Sequence, residues 1–478
     1  MGRKLLNGDA VVGVCGAGAM GAGIAQVAAQ AGRRVIIFDQ FEDALARGRA
    51  TLASGLSALV KRGKISEADA AAISARCAWT LDISDISGAS LVIEAIVEDA
   101  EVKRALFQRI EDTVSQSAII ATNTSSLAVT SLAAGRKNAA RYMGLHFFNP
   151  APVMKLVEVI SGAETDPALA ASAFALMTAW GKTAVMARDA PGFIVNRVAR
   201  PFYGEGWRAL EEGAADAATL DFLYRDLAGF RMGPFELGDL IGHDVNTAAA
   251  KSVFDAYFGR TRFTPSLMQG QLVAAGRLGR KSGRGVYSYA EETKPPPRFA
   301  SEPTPNKDLS LLEKVKRGEC VDFEGAMVMS SDGRPASLVA AETGKPVVVI
   351  DFIRDCAAAT AIAFAASNDL ADDAALKFAA LGGKAAVRLK DRPGLVVLRT
   401  LLQLANCAAD AIRDQVADAE AIDVAMINGV NYPFGPVAFA AEFGFRRVVN
   451  ALNAIADETG EAIYRPGEWL RAAARRIL

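Results

Sequence analysis

VVGVCGAGAMGAGIAQVAAQ, residues 11–30, is the stretch on which the fold turns. Val11 to Cys15 is a continuous apolar run and reads as a buried parallel strand. Gly16-Ala17-Gly18-Ala19-Met20-Gly21 follows at once, then a helix-like stretch from Ala22 to Gln30 and a second strand-like run, Arg34 to Phe38, ending at Asp39. A lone glycine pattern of this kind is weak evidence. Set between strand and helix, with an acidic residue about 20 positions beyond, it predicts a dinucleotide site. The glycines allow a tight turn and bring backbone N–H groups close to a pyrophosphate at the helix N-terminus. Gly16, Gly18, Ala19, Met20 and Gly21 are therefore candidate cofactor contacts, and Asp39 is placed to accept hydrogen bonds from a ribose diol. Gln40, not an arginine, follows Asp39, so a 2′-phosphate would meet repulsion and the pattern selects NAD over NADP.

Further apolar runs recur outward from this stretch: Leu91 to Ala95, Ala118 to Thr122, Tyr142 to Phe148 and Leu156 to Ile160, the first of them separated by helical stretches such as Glu101 to Glu111. This alternation predicts a Rossmann-type doubly wound α/β sheet, whose ligands sit beyond the carboxyl ends of the strands. Glu98, Asn123, Ser125 and His146 all fall at or just after such ends. After Ala187 the pattern turns helical, and Asp189-Ala190-Pro191-Gly192 reads as a helix start with Asp189 as N-cap. Asn196, seven residues on, is then expected on the same helix face, either capping something or meeting a ligand.

Composition limits what such a fold can serve. The 478 residues, 51% of them hydrophobic, allow about three domains. Lysine and arginine (53) nearly balance aspartate and glutamate (54), so no global field recruits nucleic acid or a membrane surface. Five cysteines without ligand spacing and only two histidines argue against a metal site and fit a reducing interior. The apolar run near the N-terminus is broken by glycines and continues into the folded pattern, which argues against a targeting peptide. No run reaches about 18 apolar residues, and a cytoplasmic protein is expected.

His146 lies in one strand-like run and Glu158 in the next. Imidazole, with a reference pKa of about 6.5, suits a base working near neutrality. A carboxylate on its far nitrogen would fix the tautomer and stabilise the imidazolium. On its own, a strand histidine is more often a satisfied core residue, which is also the expectation for His243.

The motifs CGAGAMGAGIA, VIEAIVEDAEVKRALF, ATNTSSL, GLHFFNPAPVMKLVEVI, DAPGFIVNRV and LGRKSGRGVYSY, in that order over residues 8–290, resemble the L-3-hydroxyacyl-CoA dehydrogenase family. The resemblance implies that His146 is the general base, that Glu158 orients it, and that Ser125 and Asn196 contact the substrate, donating hydrogen bonds to its C3 oxygen. It also implies that Glu98 and Lys103 lie near the nicotinamide-side ribose with Asn149 in the same pocket. Lys61 and Lys64, in a basic run after the second strand, are either a solvated helix end or partners for the phosphates of CoA. The implied reaction is NAD-dependent, reversible oxidation of an (S)-3-hydroxyacyl-CoA to the 3-oxoacyl-CoA, in bacterial fatty-acid or aromatic (phenylacetate-type) catabolism. Two alternatives stand beside it: a related sugar-acid dehydrogenase of the L-gulonate type, and an NAD-binding protein without catalysis.

The chain also repeats itself. DAPGFIVNRV (189–198) answers to DRPGLVVLRT (391–400), AADAATLD (214–221) to VADAEAID (416–423), and MGPFELGDLIG (232–242) to FGPVAFAAEFG (434–444), always at an offset of 202 residues. The expected segments are an NAD-binding domain over 1–188, a helical domain over 189–290, a proline-rich linker over 291–310, a reduced α/β segment over 311–388 and a second helical copy over 389–478. The second copy has Leu398 where the first has Asn196, and its α/β segment has no glycine motif and no histidine, so no second active site is expected. By analogy with the family, the two helical copies form a pseudo-dimer within one chain, with further homo-oligomerisation open.

Overall fold

The computed structural model describes residues 10–290 and 294–476; the N-terminal residues of the targeting question and 291–293 of the linker lie outside it. The chain forms two compact units, Met1–Val195 with Gln415–Val430, and Asn196–Asp414 with Asn431–Leu478.

The first unit holds eight strands: β1 (Val11–Cys15), β2 (Val35–Phe38), β3 (Cys77–Thr80), β4 (Ala89–Glu94), β5 (Ile119–Thr122), β6 (Tyr142–Phe147), β7 (Leu156–Ser161) and β8 (Thr183–Arg188). They lie in the order β3-β2-β1-β4-β5-β6-β7-β8. The first six are parallel; β7 runs antiparallel to β6, and β8 parallel to β7. Both faces are buried over β1, β2 and β4 to β7, which is why these strands read as largely apolar runs, while β3 and β8 at the edges are part exposed. Val12, Val14, Ile37 and Ile93 pack with the Ala19–Gln30 helix on one face, while Cys15, Ile36, Val92 and Ile120 pack on the other. The chain order reverses between β1 and β4, so the turn after β1 opens into the crevice where such sheets bind ligands.

A piece of the second helical copy completes this unit. The Ala419–Val430 helix lies on β7 and β8, where Gly429 fits so closely that an added Cβ would stand 2.6 Å from Leu156. Arg188 N–H donates to the Val416 carbonyl at 2.8 Å.

The second unit repeats the arrangement in reduced form. Its strands are β9 (Val321–Phe323), β10 (Ala326–Ser330), β11 (Val347–Ile350), β12 (Ala361–Ala366) and β13 (Ala385–Arg388), in the order β13-β12-β11-β10-β9. β10 and β11 are parallel, β11 and β12 antiparallel, β12 and β13 parallel, as in β5 to β8. The Ala217–Ala228 helix of the first helical copy lies on β12, and Lys390 N–H donates to the Ala214 carbonyl at 3.2 Å. Residues 188 and 416 map onto 390 and 214 under the offset of 202, so the bond is made reciprocally, once in each unit.

Within the second unit the two helical copies pack along the helices Arg200–Glu211 and Val397–Arg413. Arg399 and Tyr464 meet Glu205, Asp410 takes Arg260 and Arg262, and Tyr224 Oη shares a 2.6 Å hydrogen bond with Thr400. The proline-rich segment is no free tether from residue 294 onward. Ala300 N–H donates to Ala386 and Ala386 N–H to Ser301, extending the sheet edge, and Arg298 pairs with Asp216.

One reading of the sequence needs correction. Asp189 does not cap a helix that follows it. Its carboxylate accepts Val129 N–H at 3.1 Å and Thr130 N–H at 2.7 Å, capping the Val129–Ala133 helix from sixty residues away in the chain. Residues 190–194 form turns, with Phe193 at φ 47°, and the helix starts only at Val195. Asp189 and Asn196 therefore share no helix face. Asp391 repeats the arrangement on Ala336 and Ser337.

Candidate active site

The glycine turn is shaped by steric need. Gly16 has φ 107°, and a Cβ there would stand 2.6 Å from the Ala95 carbonyl oxygen; one on Gly21 would stand 1.8 Å from that of Gly16. Gly18 differs. A Cβ there would meet no protein atom within 4 Å, and as N-cap of the Ala19–Gln30 helix it offers no side-chain cap. Ala19 and Met20 begin that helix, so uncapped N–H groups face open space beside a bare backbone, the surface a pyrophosphate requires. Asp39 sits against the same turn: its Oδ2 accepts Ala17 N–H at 2.8 Å and its Oδ1 accepts Phe41 N–H at 3.1 Å. The residues present fit a dinucleotide.

Along the rim, β4 and β5 end in a hydrogen-bonded cluster. Glu94, fully buried at the end of β4, accepts the Lys103 ammonium at 2.6 Å, Ile96 N–H at 2.7 Å and the Thr122 hydroxyl at 2.7 Å. Lys103 also meets Glu98 at 3.1 Å, and with its side chain 1% exposed it acts on the rim through these carboxylates. Glu98 accepts the Thr124 hydroxyl at 2.6 Å, Ser125 N–H at 2.9 Å and Ser126 N–H at 3.1 Å. Burial works to raise the Glu98 pKa, but the Lys103 charge and the bonds from Thr124 and Ser125 outweigh it and hold the carboxyl below its ordinary value. Ser125 is exposed on a loop fixed in this way. Asn123 Oδ1 accepts Phe147 N–H at 2.8 Å, tying the end of β5 to that of β6.

His146 and Glu158 stand directly opposite each other across β6 and β7. Cross-strand partners share a sheet face, so the antiparallel return after residue 147 brings them together. His146 Nδ1 lies 2.6 Å from Glu158 Oε2; the side chains are 7% and 0% exposed. Glu158 Oε1 accepts Ile194 N–H and Val195 N–H, each at 3.0 Å. The carboxylate is thus held at both oxygens, and the imidazole keeps Nε2 for other chemistry. Phe148 and Phe193 pack against the ring at 4.5 and 5.7 Å between centroids. Lys182 donates to the Ala151 and Met154 carbonyls, fixing the connection between β6 and β7, and burial pushes its ammonium down to about 8.

The first unit therefore brings together the glycine turn, Asp39, Glu98, Lys103, Asn123, Ser125, His146 and Glu158. Asn149 is exposed just past β6, and Asn196 opens the second unit, next in the chain to Val195. Lys61 ends the Glu42–Lys61 helix and Lys64 follows it; both are exposed, and neither joins the rim cluster among the described residues. Sequence reasoning missed Glu94, Thr122 and Thr124. A glutamate ending the apolar run LVIE was the available signal for the first. The other histidine, His243, is buried with Nε2 on Asp239 at 2.7 Å and Nδ1 near Gln269.

In the second unit the same register carries no such pair. Glu158 pairs with Val185, whose counterpart at the offset of 202 is Val387, and Val387 pairs with Ala363. Asp351, opposite Ala363, stands where His146 does. It accepts the N–H groups of Val396, Val397 and Leu398, so it substitutes for Glu158 as a helix anchor and has no imidazole to orient.

A largely parallel sheet with this glycine turn, an aspartate against it and a buried imidazole–carboxylate pair fits the class of NAD-dependent dehydrogenases. Comparison with known proteins narrows the class. Family models match three parts of the chain: the NAD-binding domain of 3-hydroxyacyl-CoA dehydrogenase over 11–190, its C-terminal domain over 192–289 and again over 394–476, and the reduced Rossmann-fold domain of 3-hydroxybutyryl-CoA dehydrogenase over 328–393. The 3-hydroxyadipyl-CoA dehydrogenase of Escherichia coli K12 is 42% identical over 97% of both chains. A crystal structure of 3-hydroxybutyryl-CoA dehydrogenase from Escherichia coli K12 superposes with a TM-score of 0.92 at 40% identity, covering 98% of this chain and 99% of that one. A probable 3-hydroxybutyryl-CoA dehydrogenase of Deinococcus radiodurans is 39% identical over 58% of this chain and 99% of its own. The chain belongs to the 3-hydroxyacyl-CoA dehydrogenase family. Among the described residues no helix is long and apolar enough to cross a membrane.

Proposed function

We propose that this protein reversibly oxidises the C3 hydroxyl of (S)-3-hydroxyacyl-CoA thioesters, with His146 as general base and Glu158 as the group that orients it. The observation that carries the reading is the 2.6 Å bond between them, made by a carboxylate whose other oxygen is occupied by two backbone N–H groups. Glu158 holds the Nδ1–H tautomer, so Nε2 receives the hydroxyl proton, and the imidazolium that forms is stabilised by the buried carboxylate. The glycine turn and Asp39, with Glu98 and Asn149 further along the rim, would hold NAD, which when bound would supply the acceptor for the hydride leaving C3. Ser125 donates a hydrogen bond to the C3 oxygen, and Asn196 is assigned the same role from its motif. Lys61 and Lys64 offer cations to the phosphates of CoA.

The names of the full-length relatives, 3-hydroxyadipyl-CoA and 3-hydroxybutyryl-CoA dehydrogenase, support a short or dicarboxylic acyl group and a place in bacterial fatty-acid or aromatic catabolism. The test is a comparison of kcat/KM for acetoacetyl-CoA with NADH against L-gulonate with NAD, extended to acyl-CoAs of differing length and terminal charge. A clear preference for the thioesters is expected. Turnover of gulonate alone would replace the reading with the sugar-acid one.

A further inference from the structure

The second unit carries a cavity of about 170 Å³ at the carboxyl ends of β10 and β11, the place that the active-site rim occupies beside β5 and β6. Its walls are aromatic. Phe434, Phe439 and Phe443 stack in series, with centroids 5.8 and 5.5 Å apart, and Phe352 meets Phe439 edge-on at 5.6 Å. Its exposed lining is cationic. The Arg354 guanidinium lies over Phe434 at 5.0 Å and that of Arg447 over Phe443 at 4.3 Å; Lys316 stands with them and donates to the Arg354 carbonyl. Among the described residues neither arginine is paired with a carboxylate. The one exposed acid in the lining is Glu442, and Asp351 is buried and taken up by four backbone N–H groups.

Ser331 supplies an independent sign of a ligand. It lines the cavity, is 2% exposed, and among the described residues its hydroxyl has no hydrogen-bond partner. Its backbone is satisfied, since Ser331 N–H donates to Ile350 at 2.8 Å. A buried hydroxyl without a partner is costly unless something fills the space beside it. The volume resembles that of a cavity of about 150 Å³ that admits benzene, and is below the roughly 300–1,000 Å³ of pockets for drug-sized molecules. Among the described residues no Gly-x-Gly-x-x-Gly turn follows a strand of this unit to cradle the phosphates of a dinucleotide.

We propose that this cavity is a second, non-catalytic ligand site for a small carboxylate with a single aromatic ring or a short acyl chain. The apolar body lies against the phenylalanines, the anionic end meets Arg354 and Arg447, and Ser331 bonds a polar atom of the ligand. The reduced α/β segment has thus kept the ligand-binding rim of its fold while losing the catalytic pair.

Titration calorimetry and saturation-transfer NMR on the full chain with benzoate and hexanoate, and with benzyl alcohol and hexanol as neutral controls, test this. Saturable binding of the carboxylates is expected, with little from the alcohols and no displacement by NADH. Arg354→Gln combined with Arg447→Gln, both on exposed side chains, is expected to weaken carboxylate binding about tenfold or more while turnover is unchanged. Ser331→Ala should weaken it less. Failure to saturate, equal binding of the alcohols, displacement by NADH, or affinity unaltered in the double variant would each overturn the proposal.

Discussion

His146 and Glu158 lie 12 residues apart in the chain, yet their side chains meet because β6 and β7 form an antiparallel pair in a sheet that is otherwise largely parallel. Glu158 has two tasks, and two substitutions separate them. Glu158→Gln can still accept the Ile194 and Val195 N–H groups, so folding is expected to survive while the tautomer is no longer enforced and kcat falls by about 10²-fold or more. Glu158→Ala also leaves two buried donors unmet, at about 1–3 kcal/mol each, and thermal unfolding should show that loss where Glu158→Gln does not. The sequence raised the question of a pair because a titratable and a charged residue interrupt adjacent apolar runs, but that pattern alone favours a core histidine, and only the resemblance to a family assigned the two residues their proposed roles. Asp189 was misread for a physical reason: an aspartate ahead of a proline has the composition of a local cap, and sequence carries no sign that its carboxylate reaches a helix sixty positions back.

Among the elements, the loop after β5 and the turn after β1 each depend on one acid. Glu98 gathers the N–H groups of Ser125 and Ser126, and its pKa lies below the ordinary value near 4.5. Its stabilising contribution is therefore complete above the ordinary value and is lost as the pH falls through the depressed one. The protection factors of the amides at 125 and 126, taken against the intrinsic exchange rate at each pH, should fall on such acidification, and Glu98→Gln should lower them above the ordinary carboxyl pKa as well; protection unchanged in the variant would show that the loop is held by other contacts. Asp39→Ala is expected to raise the KM for NAD with kcat less affected, since it removes the acceptor proposed for the ribose diol and the bond to Ala17 N–H. The strand–turn–helix signal around residues 11–30 was legible because local sterics determine it. β9 was not, because three residues paired across a tight turn with β10 carry no apolar run of their own, and the pinned course of the proline-rich segment was not, because it forms by pairing with β13, distant in the chain.

For the whole molecule, the repeat has a structural consequence that its sequence only suggested. The Ala419–Val430 helix completes the first unit and the Ala217–Ala228 helix docks on the second sheet, so neither half is self-contained. A chain ending at Ser301 would uncover the part of β7 and β8 that the Ala419–Val430 helix covers. It is expected to unfold at lower temperature and to self-associate in sedimentation, as exposed apolar patches do. A truncated protein that stays soluble, monomeric and fully active would show that the second half is dispensable. The domain boundaries read from sequence follow homology; the compact units follow packing, and the two differ where one copy's helix joins the other half.

The most direct measurement is single turnover of acetoacetyl-CoA with NADH in His146→Gln, followed at the NADH absorbance, with NADH affinity measured on the same samples. The predicted result is a rate lower by about 10²–10⁴-fold with NADH binding unchanged. A rate within a few-fold of the unaltered protein, or a parallel loss of NADH affinity, would contradict the assignment of His146 as the proton-transfer residue.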